Sequence, residues 1–135
     1  MNDRERTNAR HRFQEWQRFA EDDQELIKIA LRENGPANPI CFHAEQIAEK
    51  YLKGFLAYHK QPPIKSHNLT QLLTLCIQIN PKLHSLEEAI IQLSAFYVET
   101  RYPGDAPEFT LAEAKKAYED ALQVKQVITA TVQTS

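Results

Sequence analysis

Six residues of this sequence could together handle a phosphate-bearing ligand: Asp23, His43, Lys50, Lys53, Arg101 and Tyr102. A lysine offers a point charge to phosphate oxygens, and an arginine offers a planar fork that can pair with two of them at once. A carboxylate can hold such cations in place, and an imidazole can bond a ribose or base, or move a proton near neutral pH.

Their spacing is as informative as their types. Asp23 falls on the apolar stripe of a first helix, three residues after Ala20 and four before Ile27. A carboxylate there needs a partner if it is buried, because desolvating it alone costs several kcal/mol; a solvated stripe edge would serve equally well. On a second helix, His43, Gln46, Lys50 and Lys53 fall within roughly 80° of arc, with Gly54 in the same sector. That face suits a phosphate or an acidic partner, and it also suits plain solvation. Arg101 opens the run Thr100-Arg101-Tyr102-Pro103-Gly104-Asp105 and is expected to close a fourth helix. There it can satisfy terminal carbonyls, or aim its guanidinium at a phosphate or at Asp23. A buried network of Asp23, Lys50 and Arg101 with no ligand is a further reading.

The elements that must position these residues are marked off by proline. Seven prolines fall in four clusters, at 36 and 39, 62 and 63, 81, and 103 and 107, which predicts five helices. The first is expected over about Asn8–Glu33, with Phe13, Trp16, Ala20, Ile27 and Ala30 inward, and the second over about Pro39–Tyr58. Capping boxes are expected at Asn68 with Gln71, Ser85 with Glu88, and Thr110 with Glu113, opening helices three, four and five. No segment alternates with period two, and short connections favour an all-α, up-and-down bundle of four long or medium helices plus a shorter one. Helix four carries one stripe of Leu86, Ile90, Leu93 and Tyr97 and another of Ile91, Ala95 and Val98, so it is either central in the bundle or covered by a partner, and a homodimer through helix four is expected.

The 135 residues suit one domain over 1–135, and 42% hydrophobic with 25% charged residues is ordinary globular composition. A net charge of −2 argues against gripping nucleic acid by bulk electrostatics and leaves room for a local basic site. No apolar run suits a membrane span or a secretory signal, so a cytoplasmic protein without a membrane role is expected. Cys41 and Cys76 lie in apolar patterns without zinc spacing and read as small buried hydrophobes. The five histidines show no metal spacing, and no metal or cofactor is expected; His59 and His67 read as solvated loop residues, His11 and His84 as helix-end residues.

Trp16, Ala20 and Asp23, the block Phe42-His43-Ala44-Glu45-Gln46-Ile47-Ala48-Glu49-Lys50-Tyr51-Leu52-Lys53, the run Ser66-His67-Asn68-Leu69 and the turn Thr100-Arg101-Tyr102-Pro103 together resemble the HEPN family, the higher eukaryotes and prokaryotes nucleotide-binding domains. The likeness covers about residues 13 to 128. It implies a helical bundle that dimerises, pairs with a minimal nucleotidyltransferase in a toxin–antitoxin arrangement, and binds nucleotide or RNA. Many members are metal-independent ribonucleases that use an arginine followed four to six residues later by a histidine. Arg101 matches the arginine, but Tyr102 through Phe109 contain no histidine; Arg6 and His11 match the spacing only in a segment expected to fray. Losing the general acid or base costs about 10²–10⁴ in rate. An accessory binding module is therefore expected first. A ribonuclease with a substituted site, using Arg101 and His43, comes second, and a structural dimerisation module third.

Overall fold

The computed structural model describes residues 1–97 and 108–134, and every regular element among them is helical. In chain order these are α1 (Asp3–Arg32), α2 (Ala37–Tyr58), α3 (Leu69–Ile79), a 3-10 turn over Pro81–Leu86, α4 (Glu87–Ser94) and α5 (Leu111–Gln133). No helix among the described residues is long and apolar enough to cross a membrane.

The first helix starts earlier than its apolar stripe suggested. The Asn2 side chain accepts from the Glu5 amide at 2.8 Å, and Asp3 and Glu5 sit in the first turn, where carboxylates offset the helix dipole. The segment holding Arg6 and His11 is therefore regular helix rather than frayed chain. The second helix also starts early, with Pro36 at its N-cap and Pro39 in its first turn, where no intrahelical N–H donor is required.

The ends of α1 and α2 are built alike. After α1, Gly35 N donates to Ala30 O at 2.6 Å and Asn34 N to Leu31 O at 3.3 Å, with Asn34 at φ 51°. After α2, Gln61 N donates to Leu56 O at 3.0 Å and Lys60 N to Ala57 O at 3.1 Å, with Lys60 at φ 57°. Both are Schellman caps, whose left-handed position favours glycine and tolerates asparagine. A lysine there bears the steric penalty of its Cβ. Lys60→Gly is expected to stabilise the fold by about 1 kcal/mol, read as a higher urea midpoint.

Two of the three expected capping boxes change form. At α3, the Asn68 side chain accepts from Gln71 N at 3.0 Å, but the Gln71 side chain accepts from Ser66 Oγ at 2.8 Å instead of reaching back. At α4, Ser85 is exposed inside the 3-10 turn and caps nothing. Asn80 takes the capping role one element earlier, accepting from Lys82 N at 3.0 Å ahead of Pro81. Only at α5 are both halves present: Glu113 N donates to Thr110 Oγ1 at 3.1 Å, and Thr110 N to Glu113 Oε1 at 3.0 Å. Helix four is correspondingly short, ending at Ser94, so Arg101 does not close it; Arg101 and Tyr102 lie outside the described residues.

The core is organised around α2, which packs against α1, α3, α4 and α5. Fourteen of its 22 residues are buried, more than a surface helix with a single apolar stripe would bury. Helix α1 runs antiparallel to it, pairing Asp23 with His43 near one end and Arg12 with Tyr58 near the other. The close approach is made at Gly54, where a Cβ would come within 3.2 Å of Phe13 Cδ1 and Trp16 Cβ. Cys41 and Cys76 are buried free thiols, and desolvation, joined at Cys41 by Glu113, pushes them up to about 11 and about 12.

Candidate functional site

Helix α2 places polar side chains along the side that its apolar contacts leave over. His43 and Lys50 are seven residues apart, two turns, so they stand in line along the helix. Asp23 of α1 enters between them. Its Oδ1 accepts from His43 Nδ1 at 2.7 Å, and its Oδ2 accepts from Lys50 Nζ. Asp23 is only 6% exposed, so its carboxylate is held by these two charge-assisted bonds rather than by water. The expectation of a partnered Asp23 is met, with His43 and Lys50 as the partners.

Directly before Lys50 on α2 a second buried carboxylate, Glu49, has its own partners. Glu49 Oε2 accepts from Lys53 Nζ at 3.3 Å, and Glu49 Oε1 accepts from His67 Nδ1 at 3.0 Å. The Lys53 ammonium also lies 5.7 Å from the centre of the Trp16 ring. His67 is thus a bonded residue and not merely a solvated loop histidine; its ring stacks on Tyr97 at 5.5 Å between centroids. His59 likewise is half-buried against Phe55, and burial lowers its pKa.

A further carboxyl of α2, that of Glu45, is fully buried. Its Oε2 accepts from Gln46 Nε2 at 2.7 Å, while its Oε1 has no partner among the described residues. Desolvation pushes the carboxyl up to about 7, opposed by the Gln46 hydrogen bond and by Lys50 and Lys53, and aided by Glu49.

Of the residues singled out in the sequence, Asp23, His43 and Lys50 converge directly, and Lys53 joins the neighbouring cluster. The structure says nothing of Arg101 and Tyr102. Sequence reasoning missed Glu45, Glu49 and Arg12, whose guanidinium donates to Ala57 O at 2.7 Å and Tyr58 O at 3.1 Å and so caps α2 from α1. A signal for the two glutamates was present. Cys41, Glu45 and Glu49 follow one another at four-residue spacing beside the Ala44, Ala48 and Leu52 stripe. A helix buried on most sides draws such residues inward.

With this helical arrangement in view, the sequence profile of the HEPN domain matches residues 13–131. The chain belongs to the HEPN family. An archaeal HEPN homologue of known structure is similar in fold, with a TM-score of 0.72 and 25% sequence identity, over 89% of this chain and 97% of that one. No curated protein matches. In this HEPN domain the Asp23–His43 contact fixes the orientation of the imidazole, with Nδ1 turned to the carboxylate.

Proposed function

We propose that this HEPN domain is a dimeric, cytoplasmic, nucleotide- or RNA-associated accessory module that works with a minimal nucleotidyltransferase, in the manner of a toxin–antitoxin pair. The observation that carries the reading is the convergence of Asp23, His43 and Lys50 on one side of α2, with Lys53 a turn further on. Lys50 and Lys53 supply charge to phosphate oxygens, with Arg101 as the third cation, and Tyr102 beside it is a further contact. Asp23 holds Lys50 in place, and the outward nitrogen of His43 bonds ribose or base. The exposed Ile91 on α4 and Ala95 just past its end support dimerisation there, since the opposite side of that helix is buried through Ile90 and Leu93; Val98 of the same stripe lies outside the described residues.

Thermal melts with a panel of nucleotides test the binding. A nucleotide at about 100 times its Kd is expected to add about 2.7 kcal/mol and raise Tm by several degrees. Lys50→Gln is expected to weaken that nucleotide roughly ten-fold. Melts identical with and without every nucleotide would remove the binding half of the reading. Failure to co-purify with a co-expressed nucleotidyltransferase would remove the other half.

The Asp23–His43 pair favours a second reading, a ribonuclease with a substituted site. His43 would take the proton from a 2′-hydroxyl as its oxygen attacks phosphorus, and Arg101 would stabilise the charge gathering on the phosphoryl oxygens before the 5′-oxygen leaves. RNA cleavage in EDTA that disappears in both His43→Ala and Arg101→Ala would establish it. Cleavage untouched by either would assign the activity to a contaminant.

A further inference from the structure

The polar side of α2 runs out, past Lys53, into an open cleft of about 540 Å³ bounded by α1, the end of α2 and the loop through Pro62 and Pro63. That volume is in the range that holds a small cofactor or metabolite. Its walls are mixed in a particular way. Trp16 gives an aromatic surface and the two prolines an apolar one, while Arg12, Lys53 and Lys60 line it against a single carboxylate, Glu15.

The three cations differ in how committed they are. Lys53 is already paired with Glu49. Arg12 spends its Nε and one terminal nitrogen on the Ala57 and Tyr58 carbonyls, and this fixes the plane of the guanidinium while leaving other N–H donors unspent. Lys60 is exposed, makes no ion pair among the described residues, and stands in the left-handed conformation at φ 57°. The same cap at the end of α1 uses Asn34, the residue type the geometry tolerates. A bulky residue standing where its backbone is disfavoured points to a task for its side chain, and here that side chain lines the cavity.

We propose that this cavity binds a nucleoside monophosphate, with the base against Trp16 and the phosphate between Lys60 and the guanidinium of Arg12. Stacking on an indole tolerates any base, and two cations flanking a phosphate provide the anchoring charge. The proposal rests on the nucleotide reading above and adds a second site to it, since none of Asp23, His43 and Lys50 lines this cavity.

Trp16 is the sole tryptophan of the chain, so its fluorescence reports on this wall alone. The full-length protein is titrated with AMP, with adenosine and with inorganic phosphate. AMP is expected to quench Trp16 saturably, and adenosine or phosphate alone to bind at least ~10-fold more weakly. Lys60→Gly is expected to weaken AMP ~5–10-fold although the variant melts at a higher temperature than the parent, so that lost binding cannot be lost folding. Absence of a saturable AMP response overturns the proposal, and so does a response that Lys60→Gly leaves unchanged. If AMP stabilises the protein through Lys50 with no change at Trp16, the cavity proposal fails and the wider nucleotide reading survives. If no nucleotide stabilises it at all, both fail.

Discussion

Raising the pH from about 4.5 to about 7 is expected to cost the fold about 3 kcal/mol through Glu45 alone, and Glu45→Gln is expected to abolish that loss. In the unfolded chain the carboxyl ionises near its ordinary 4.5; in the folded chain it holds its proton up to about 7. Below the lower value both states are protonated, and Glu45 contributes nothing to the pH dependence. Between the two values the unfolded state gives up its proton first, so stability falls as pH rises. Above the upper value the penalty is complete and constant. The groups acting on Glu45 are Gln46, Glu49, Lys50 and Lys53, and none of them offsets the burial that dominates. Denaturant melts across this window should show the parent losing stability relative to Glu45→Gln, with the gap fully open by about pH 8. Parallel curves for the two proteins would mean that Glu45 is solvated or paired in solution.

The second large effect is expected at Asp23. Removing one member of a buried ion pair typically costs about 3–5 kcal/mol, because the charge left behind is desolvated and unpartnered. Here His43 and Lys50 keep 28% and 20% of their side-chain surface in water, so Asp23→Ala is expected to cost less, about 2 kcal/mol. Asp23→Asn retains a hydrogen-bond acceptor of the same shape and should cost about half as much. The triple variant Asp23→Leu, His43→Leu, Lys50→Met separates structure from function. Apolar replacement of a whole buried network is often neutral or stabilising, so the triple variant is expected to recover most of the stability that Asp23→Ala loses. If it folds and its nucleotide response persists, the cluster serves packing alone; if it folds and the response is gone, the cluster serves the ligand.

The helices could be read from the sequence wherever a local rule acts without competition. Proline breaks and the Thr110–Glu113 box mark the start of α5 to the residue, because capping depends only on neighbours three positions apart. The same rule failed at Ser85. Asn80 and Pro81 open a 3-10 turn that carries Ser85 past the capping position, a competition between adjacent signals that spacing alone does not rank. Asp23 could be identified because a lone carboxylate interrupts an otherwise apolar stripe. Glu45 and Glu49 carried only the weaker signal of their four-residue spacing after Cys41, because their burial depends on how many neighbours surround α2, and that is a property of the assembled bundle. Arg12 was missed for a related reason. Its target is a pair of carbonyls 45 and 46 residues away, and no pattern near Arg12 announces them.

The centrality of α2 also has a consequence for the protein's birth on the ribosome. Its first partner, α1, is made before it, so an α1–α2 hairpin can close as soon as Tyr58 clears the exit tunnel. The face of α2 that packs on α5 must wait for a helix that begins about 50 residues later, at Leu111. At ~5–20 residues per second that interval is roughly 3–10 s, long compared with the microseconds in which helices form. Through that interval Ala44, Ala48 and Leu52 share a half-finished hairpin with buried-to-be Glu45 and Glu49, whose charges stay in water until the later helices arrive. Those carboxylates would keep the nascent hairpin soluble while it waits, at the expense of the pH-sensitive stability of the finished fold.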